Sequence, residues 1–342
     1  MYIYSFNRYF VFTFLNKWFT SPFVHYVHLI SLLLLRLAAP MIARFTRHFL
    51  LQMSLETRKV GEGAEHMATA AKYLETSAWK LKFSPDWDSA ADEFNKAAVC
   101  FKVGRSWDQA KAAHLKASEA YANSGSLFHA GKQLDQALLI CKEMGQLEDA
   151  EELAGRGGML FRQAGNPESA AQLLVRAARL LEREQPARAA SLYEKAADTV
   201  STEDRPAEAG QHLEQAGRLA VRAGELERAA RLLEAALSLY SEAGAGGSVH
   251  GRLVLSFLLV QLQRGDPVAG SKVWQQWGGW CDTQQAAGAA DLLTGFGDQQ
   301  PDLATRGLAS PAVKALDNDY VKLARDMPVP RSADGDDELD LC

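Results

Sequence analysis

One helix-sized unit recurs along the chain at a spacing of about twenty residues. An alanine marks the same point of each unit, in the tetrapeptides WDSA, WDQA, LFHA, LEDA, PESA, PARA, PAEA and LERA. A second small residue follows seven positions later in every unit. The pairs are Ala90 and Ala97, Ala110 and Ala117, Ala130 and Ala137, Ala150 and Gly157, Ala170 and Ala177, Ala189 and Ala196, Ala209 and Ala216, and Ala229 and Ala236. A fixed period of this kind indicates a repeat architecture.

Larger residues occupy most of the positions four and eleven residues after each marker alanine, as Phe94 and Phe101 do in the first unit. Offsets of 0, 4, 7 and 11 fall on one face of a helix, and small residues on that face allow a neighbouring backbone to come close. Glycines such as Gly104 and Gly125 stand where a unit should end, and Pro167 stands where one should begin. We therefore predict an all-α, TPR-like α-solenoid of antiparallel helical hairpins.

The period divides the chain into regions. We predict a solenoid over residues 53–246, whose first helix covers about 55–77, and a C-terminal helical bundle over residues 247–328. The bundle should contain helices at about 268–277, 284–294 and 310–325, after one apolar helix. Residues 329–342 are rich in acids and proline, and we expect a disordered acidic tail.

Residues 1–52 differ from the rest, because they are apolar and aromatic and contain no acid and no glycine. We predict that this N-terminal extension lies outside the native fold, since Met53 opens a stretch with the composition of the body. Two other interpretations stay open. The segment Trp18 to Leu35 is long enough for a membrane anchor, and the arginines near position 44 are typical of a targeting peptide.

The remaining residues show no pattern that favours catalysis. Phosphate-binding, zinc-protease and nucleophile-elbow motifs are all missing from the sequence, and the five histidines after residue 52 are scattered one to a helix. We predict no catalytic residues, no metal and no cofactor, and we expect the many glutamate–arginine pairs to be solvated partners within one helix. The net charge of the chain is −5 although residues 1–52 carry only basic charges, so the rest of the chain is acidic. An acidic body argues against a nucleic-acid partner. The four dispersed cysteines fit a reducing cytoplasm.

One exposed connection alternates apolar residues with lysines instead of keeping the helical spacing. Such a segment can dip into an anionic membrane surface, with its lysines at the head groups. A hydrophobic staple tucked under the solenoid end is the alternative. The predicted membrane-contact residues are Trp79, Lys80, Leu81, Lys82 and Phe83.

The end of the chain, DGDDELDLC, carries acids and leucines without a basic residue. A tail of this kind is either a solubilising segment or a sequence that a basic, partly apolar partner surface recognises. The residues that we predict to bind a partner are Asp336, Asp337, Glu338, Asp340 and Leu341.

Several stretches in their order along the chain resemble the soluble N-ethylmaleimide-sensitive factor (NSF) attachment proteins, the SNAP family, and in particular its gamma type. These stretches are GEGAEHMATAAKYLETSAWK, PDWDSAADEFNKAAVCFK, LFHAGK, the twenty-residue units and SPAVKALDNDYVKL before the acidic end. The resemblance implies an adaptor that binds syntaxin-type SNARE complexes and recruits and stimulates the hexameric ATPase NSF during vesicle transport and membrane fusion. It further implies that the loop at Trp79 to Phe83 contacts the membrane and that the end with Leu341 engages the ATPase. A cytoplasmic, peripheral membrane location follows.

Two other functions stay open. A generic TPR-type scaffold would hold an extended peptide through asparagine and lysine side chains in its groove. An enzyme or an integral membrane protein would instead depend on residues 1–52.

Overall fold

The computed structural model describes residues 52–76, 84–245, 247 and 250–331. Residues 1–51, the greater part of the N-terminal extension, lie outside the described residues, and helix α1 occupies residues 52–74. The helices that follow are α2 (Trp87–Val103), α3 (Trp107–Asn123), α4 (Leu127–Met144), α5 (Ala150–Gln163), α6 (Pro167–Leu181), α7 (Pro186–Ser201), α8 (Pro206–Arg222) and α9 (Leu226–Glu242). Short connections turn each helix back along its predecessor, and each of α2 to α9 packs mainly on its neighbours in sequence. The all-α solenoid prediction is confirmed.

The period of small residues marks the packed face of each helix. All of the marker alanines, and all of the alanines seven positions later, have no exposed surface. Larger side chains at the other two offsets, such as Leu134 and Phe161, fill the space beside them. Leu213 is a partial exception, because it is only half-buried. The small residues bring the helix backbones together, and the larger ones interlock across the contact.

Two positions that follow helices favour glycine for different reasons. Gly125, after α3, has a φ of +83°, a conformation that favours glycine. Gly104, after α2, has an ordinary φ of −75°, and Arg105 adopts the positive φ instead. A Cβ atom at Gly104 would lie 2.7 Å from Val60 Cγ2 and 3.0 Å from the Glu56 carbonyl oxygen of α1. Gly104 is therefore required by the close approach of α1.

The C-terminal region begins with α10 (Gly251–Gln263), which is buried almost all round. It continues with α11 (Pro267–Trp277), a 3₁₀ turn (Gly278–Trp280), α12 (Thr283–Gly297), α13 (Pro301–Leu308), α14 (Pro311–Lys314) and α15 (Asn318–Arg325). The sequence analysis missed α13 and joined the last two helices into one. The two helices are separate because Asp317, the residue just before α15, has an extended backbone (ψ 147°). Aspartate commonly stands just before a helix, but the apolar spacing continues across Asp317, so that spacing alone predicted a single helix.

Candidate partner-binding surfaces

The predicted membrane-contact residues, Trp79, Lys80, Leu81, Lys82 and Phe83, lie outside the described residues, but the structure shows how the loop that carries them is attached. The backbone N–H of Asp86 donates to the carbonyl of Tyr73 over 3.1 Å. The carboxylate of Asp86 also accepts from the N–H of Ser89 over 3.1 Å, which caps the start of α2. The hydrogen bond between Asp86 and Tyr73 thus holds together the two ends of the loop that connects α1 to α2.

An apolar groove lies beside the ends of this loop. Its cavity of about 360 Å³ is lined by Met67 and Leu74 of α1, by Trp87 and Phe94 of α2, and by residues of α3 that include Lys116. The Lys116 ammonium lies 5.9 Å from the centroid of the Phe94 ring, within the range of a cation–π contact. A groove of this kind could receive an apolar staple, so membrane contact by the loop stays a prediction.

The predicted ATPase-binding residues, Asp336, Asp337, Glu338, Asp340 and Leu341, also lie outside the described residues. The last helix before them, α15, is attached to the solenoid by an ion pair. Arg222 of α8 donates from Nε to Asp319 Oδ1 over 2.9 Å and from Nη2 to Oδ2 over 2.7 Å. Arg218, one turn earlier, adds a third bond to Asp319 Oδ2 over 3.1 Å. The acidic end therefore follows a helix that is bound directly to α8.

The environment of Asp319 keeps it ionised. Its side chain is only 5% exposed. Burial alone would raise the pKa of Asp319, but the hydrogen bonds and charges of Arg222 and Arg218 outweigh it, so the pKa is lowered. Arg218 extends the network to Glu182 over 3.3 Å, and the Tyr193 hydroxyl donates to Glu182 over 2.7 Å. Burial and this hydrogen bond raise the pKa of Tyr193 to about 12.

Other ion pairs also cross between helices, which the sequence analysis did not anticipate. Glutamate–arginine partners within one helix were predicted, and some exist, such as Arg156 with Glu152. Arg264, just after α10, pairs with Glu227 of the preceding helix, α9. Pairs that link alternate helices, or the residue just before one, include Lys111 with Asp149, Arg176 with Asp135, Arg188 with Glu151, and Arg228 with Glu194. Their partners are 34 to 41 residues apart, about two repeat units. A search for opposite charges at that spacing could have found them.

Two histidines of the described residues, His114 and His250, make packing contacts inside the helical stack. His114 Nδ1 lies 2.7 Å from Gln133 Oε1 in the interior of the stack. Burial lowers the pKa of His114, and the bond to Gln133 offsets only part of that effect. His250 stacks on Tyr240 with ring centroids 3.9 Å apart.

Two surface grooves run between alternate helices of the solenoid. One, of about 530 Å³, lies over α5 and α7 and is lined by Gly155, Gly158, Met159, Arg162 and Lys195, among others. The second, of about 600 Å³, lies over α6 and α8 and includes Arg179 and His212. Neither lining contains the asparagine that, together with lysine, the peptide-scaffold alternative requires.

The alternative of an enzyme or an integral membrane protein rests on residues 1–52, and residues 1–51 lie outside the described residues. None of the helices in the described residues combines the length and the apolar character needed to cross a membrane. Within the same residues, no group of three or more histidine, cysteine or acidic side chains is placed to hold a metal ion.

Comparison with known proteins identifies the family of this helical stack. The profile of the family described as soluble NSF attachment protein, SNAP, matches residues 61–297, from α1 to the end of α12. A gamma-soluble NSF attachment protein of Dictyostelium discoideum is 24% identical over 82% of this chain and 86% of its own length. Its counterpart from Arabidopsis thaliana is 22% identical over 72% of this chain and 86% of its own. An alpha-soluble NSF attachment protein of Vitis vinifera is 30% identical over 51% of this chain and 60% of its own. The chain therefore belongs to the soluble NSF attachment protein family, and it resembles the gamma type.

Proposed function

We propose that this protein is an adaptor that binds SNARE complexes and recruits and stimulates the ATPase NSF, so that the complexes are disassembled during intracellular vesicle transport. The observation that carries the proposal is the family match over most of the helical stack, since the relatives are named as attachment proteins of NSF. In this proposal NSF hydrolyses ATP, and the adaptor holds NSF and the SNARE complex together.

The order of the chain suits an adaptor, because the two proposed binding segments follow its first and its last helix. The loop with Trp79 and Phe83 follows the first helix, whereas the tail with Leu341 follows the last. We expect a bundle of syntaxin-type SNARE helices to lie along the solenoid, and the groove over α5 and α7 or the groove over α6 and α8 offers a place for its side chains. An adaptor that holds all of its partners raises their local concentration, which strengthens weak individual contacts.

The proposed tail contact combines charge and apolar surface. Asp336, Asp337, Glu338 and Asp340 would steer a basic surface of the ATPase, and Leu341 would fill an apolar pocket there. We expect the action to take place on the cytoplasmic side of membranes, with the protein attached peripherally.

The decisive experiment is a pull-down of NSF on immobilised SNARE complexes, combined with measurement of its ATPase rate. We expect the full chain to recruit NSF and to raise its rate, and Leu341→Ala to lower the stimulation by about tenfold. Leu339→Ala, in the same acidic tail, is the matched control and should have a smaller effect. If the full chain neither recruits nor stimulates NSF, the proposed function is wrong. If Leu341→Ala behaves as Leu339→Ala does, the role of Leu341 is wrong.

Membrane contact is tested separately by flotation with anionic vesicles. Replacement of Trp79, Leu81 and Phe83 by serine should reduce the bound fraction by about tenfold or more, because apolar surface provides most of the insertion energy. The control replaces Val99 and Val103 of α2, which are 51% and 48% exposed, by serine. The staple alternative predicts a lower melting temperature for the loop variant and unchanged flotation. Membrane contact predicts the reverse.

A further inference from the structure

Helix α15 is joined to the solenoid by a compact charged cluster, which we call the latch: Asp319 with Arg218 and Arg222. Asp319 receives both ends of the Arg222 fork and one bond from Arg218, at distances of 2.7 to 3.1 Å. Arg222 also donates from Nη1 to the carbonyl of Glu182 over 3.0 Å, at the end of α6. The latch thus connects α15 to α8 and, through α8, to α6. Bidentate arginine–carboxylate pairs define orientation as well as contact.

Helix α15 also packs on α10, and its Tyr320 and Ala324 belong to the apolar core. A cavity of about 270 Å³ lies beside this contact, and Tyr320, Glu214, Tyr240 and His250 contribute to its lining. Tyr320 is 3% exposed, and its buried hydroxyl has no hydrogen-bond partner among the described residues. His250 Nδ1 is likewise buried without one. Apolar packing has no preferred direction, so the latch supplies the directional polar contact that orients α15.

The latch also lies close to the start of the tail. Helix α15 ends at Arg325, Met327 is still buried, and the described chain ends at Arg331, just before the acidic residues. A short segment that leaves a fixed point samples a smaller volume than one that leaves a mobile helix. The orientation of α15 therefore sets the position of Arg331, from which the chain continues to the acidic residues.

We propose that the latch positions the acidic tail for the ATPase, so that Asp319, Arg218 and Arg222 are positioning residues for stimulation although they do not contact the ATPase. This inference rests on the proposed function and adds to it a part of the chain that the tail residues do not include. Attachment of α15 can be measured in the protein alone, whereas stimulation can be measured only when NSF is present.

The first arm of the test measures hydrogen–deuterium exchange in the full chain without partners. Arg222→Glu places a second acid against Asp319 and should accelerate exchange in residues 318–325 by about tenfold or more, with α2 to α7 unchanged. Arg222→Lys keeps the positive charge and should restore most of the protection. Arg306→Glu is the matched control, because it makes the same change of charge in an exposed pair with Asp291 within the bundle. It should leave α15 protected.

The second arm measures NSF stimulation by the same variants at equal amounts of NSF bound to SNARE complexes. We expect Arg222→Glu to stimulate by a factor of about two or more less than the unmodified chain, with Arg222→Lys and Arg306→Glu close to it. Unchanged exchange in Arg222→Glu would show that the latch does not hold α15 and would overturn the inference. Faster exchange with full stimulation would overturn the positioning role. An unmodified chain that neither recruits nor stimulates NSF would refute the proposed function itself, and the exchange arm would still report whether the latch holds α15.

Discussion

Three glycines in α5 provide a direct test of how the solenoid helices stack. Gly155, Gly157 and Gly158 lie within four residues of one another in the same helix, so each replacement by alanine should bring the same gain in helix propensity, up to about 1 kcal/mol. Their surroundings differ. Gly157 occupies the small position seven residues after Ala150, where the other units carry alanine.

The geometry at each position sets the expected difference. A Cβ atom at Gly157 would lie 2.4 Å from Leu173 Cδ2 and 3.3 Å from Leu134 Cβ, and both leucines have no exposed surface. Overpacking of this kind costs about 1–3 kcal/mol. A Cβ atom at Gly155 would meet nothing within 4 Å, and one at Gly158 would lie 3.6 to 3.8 Å from Leu174, which is ordinary contact.

Because the propensity gain is common to these variants, the comparison isolates packing. We expect Gly155→Ala and Gly158→Ala to raise the free energy of unfolding by about 0.5–1 kcal/mol. Gly157→Ala should lie about 1–3 kcal/mol below Gly155→Ala, which leaves it near or below the unmodified protein.

Urea denaturation followed by far-ultraviolet circular dichroism measures these differences through the midpoint and slope. The reasoning is refuted if Gly157→Ala is as stable as Gly155→Ala with an unchanged slope. That result would mean that α5 and α6 separate at no cost, and that a glycine in place of alanine has no packing role in this unit.

Three further predictions concern single side chains. Burial holds the pKa of His114 below its unfolded value of about 6.5, so its contribution to stability is complete above that pH and is lost as the pH falls below it; unfolding measured from pH 7 to 5 should therefore show a smaller loss for His114→Gln, and equal losses would contradict this. Tyr240→Phe removes the 2.9 Å bond to Glu214 but keeps the aromatic ring, and should lower the free energy of unfolding by about 1 kcal/mol; no change in the urea midpoint would count against that bond. Arg156→Ala breaks only an exposed pair with Glu152 and should change stability by less than about 0.5 kcal/mol, and a larger drop would mean that the pair is stronger than its exposure implies.

Much of the fold was predictable because the information is local. Whether a residue belongs to the buried face of a helix depends on neighbours three, four and seven positions away, and the alanines of each unit display that spacing. The starts of α6, α7 and α8 at prolines follow from the fixed φ of that residue. The extended residue Asp317 was missed, because apolar residues on both sides of it continue a helical pattern.

The candidate site was less accessible. The loop at Trp79 and the tail at Leu341 were predicted from composition and from family resemblance, and both stay predictions. The attachment of α15 could not be predicted, since Asp319 and Arg222 are 97 residues apart and neither stands out in its own helix. A contact over that distance depends on how far each intervening pair of helices rotates and shifts.

The sequence by itself determined that the chain forms stacked helices, which face of each is buried, and roughly where each begins and ends, because these properties follow from local spacing and backbone preference. Only the tertiary structure decided which small residue must be glycine. Gly104 is needed where α1 comes close, and Gly157 where Leu173 enters the contact, because the space beside a Cβ atom is set by a helix elsewhere in the chain. The tertiary structure likewise decided that Asp319 meets Arg222, since that meeting is the sum of every packing step between α8 and α15.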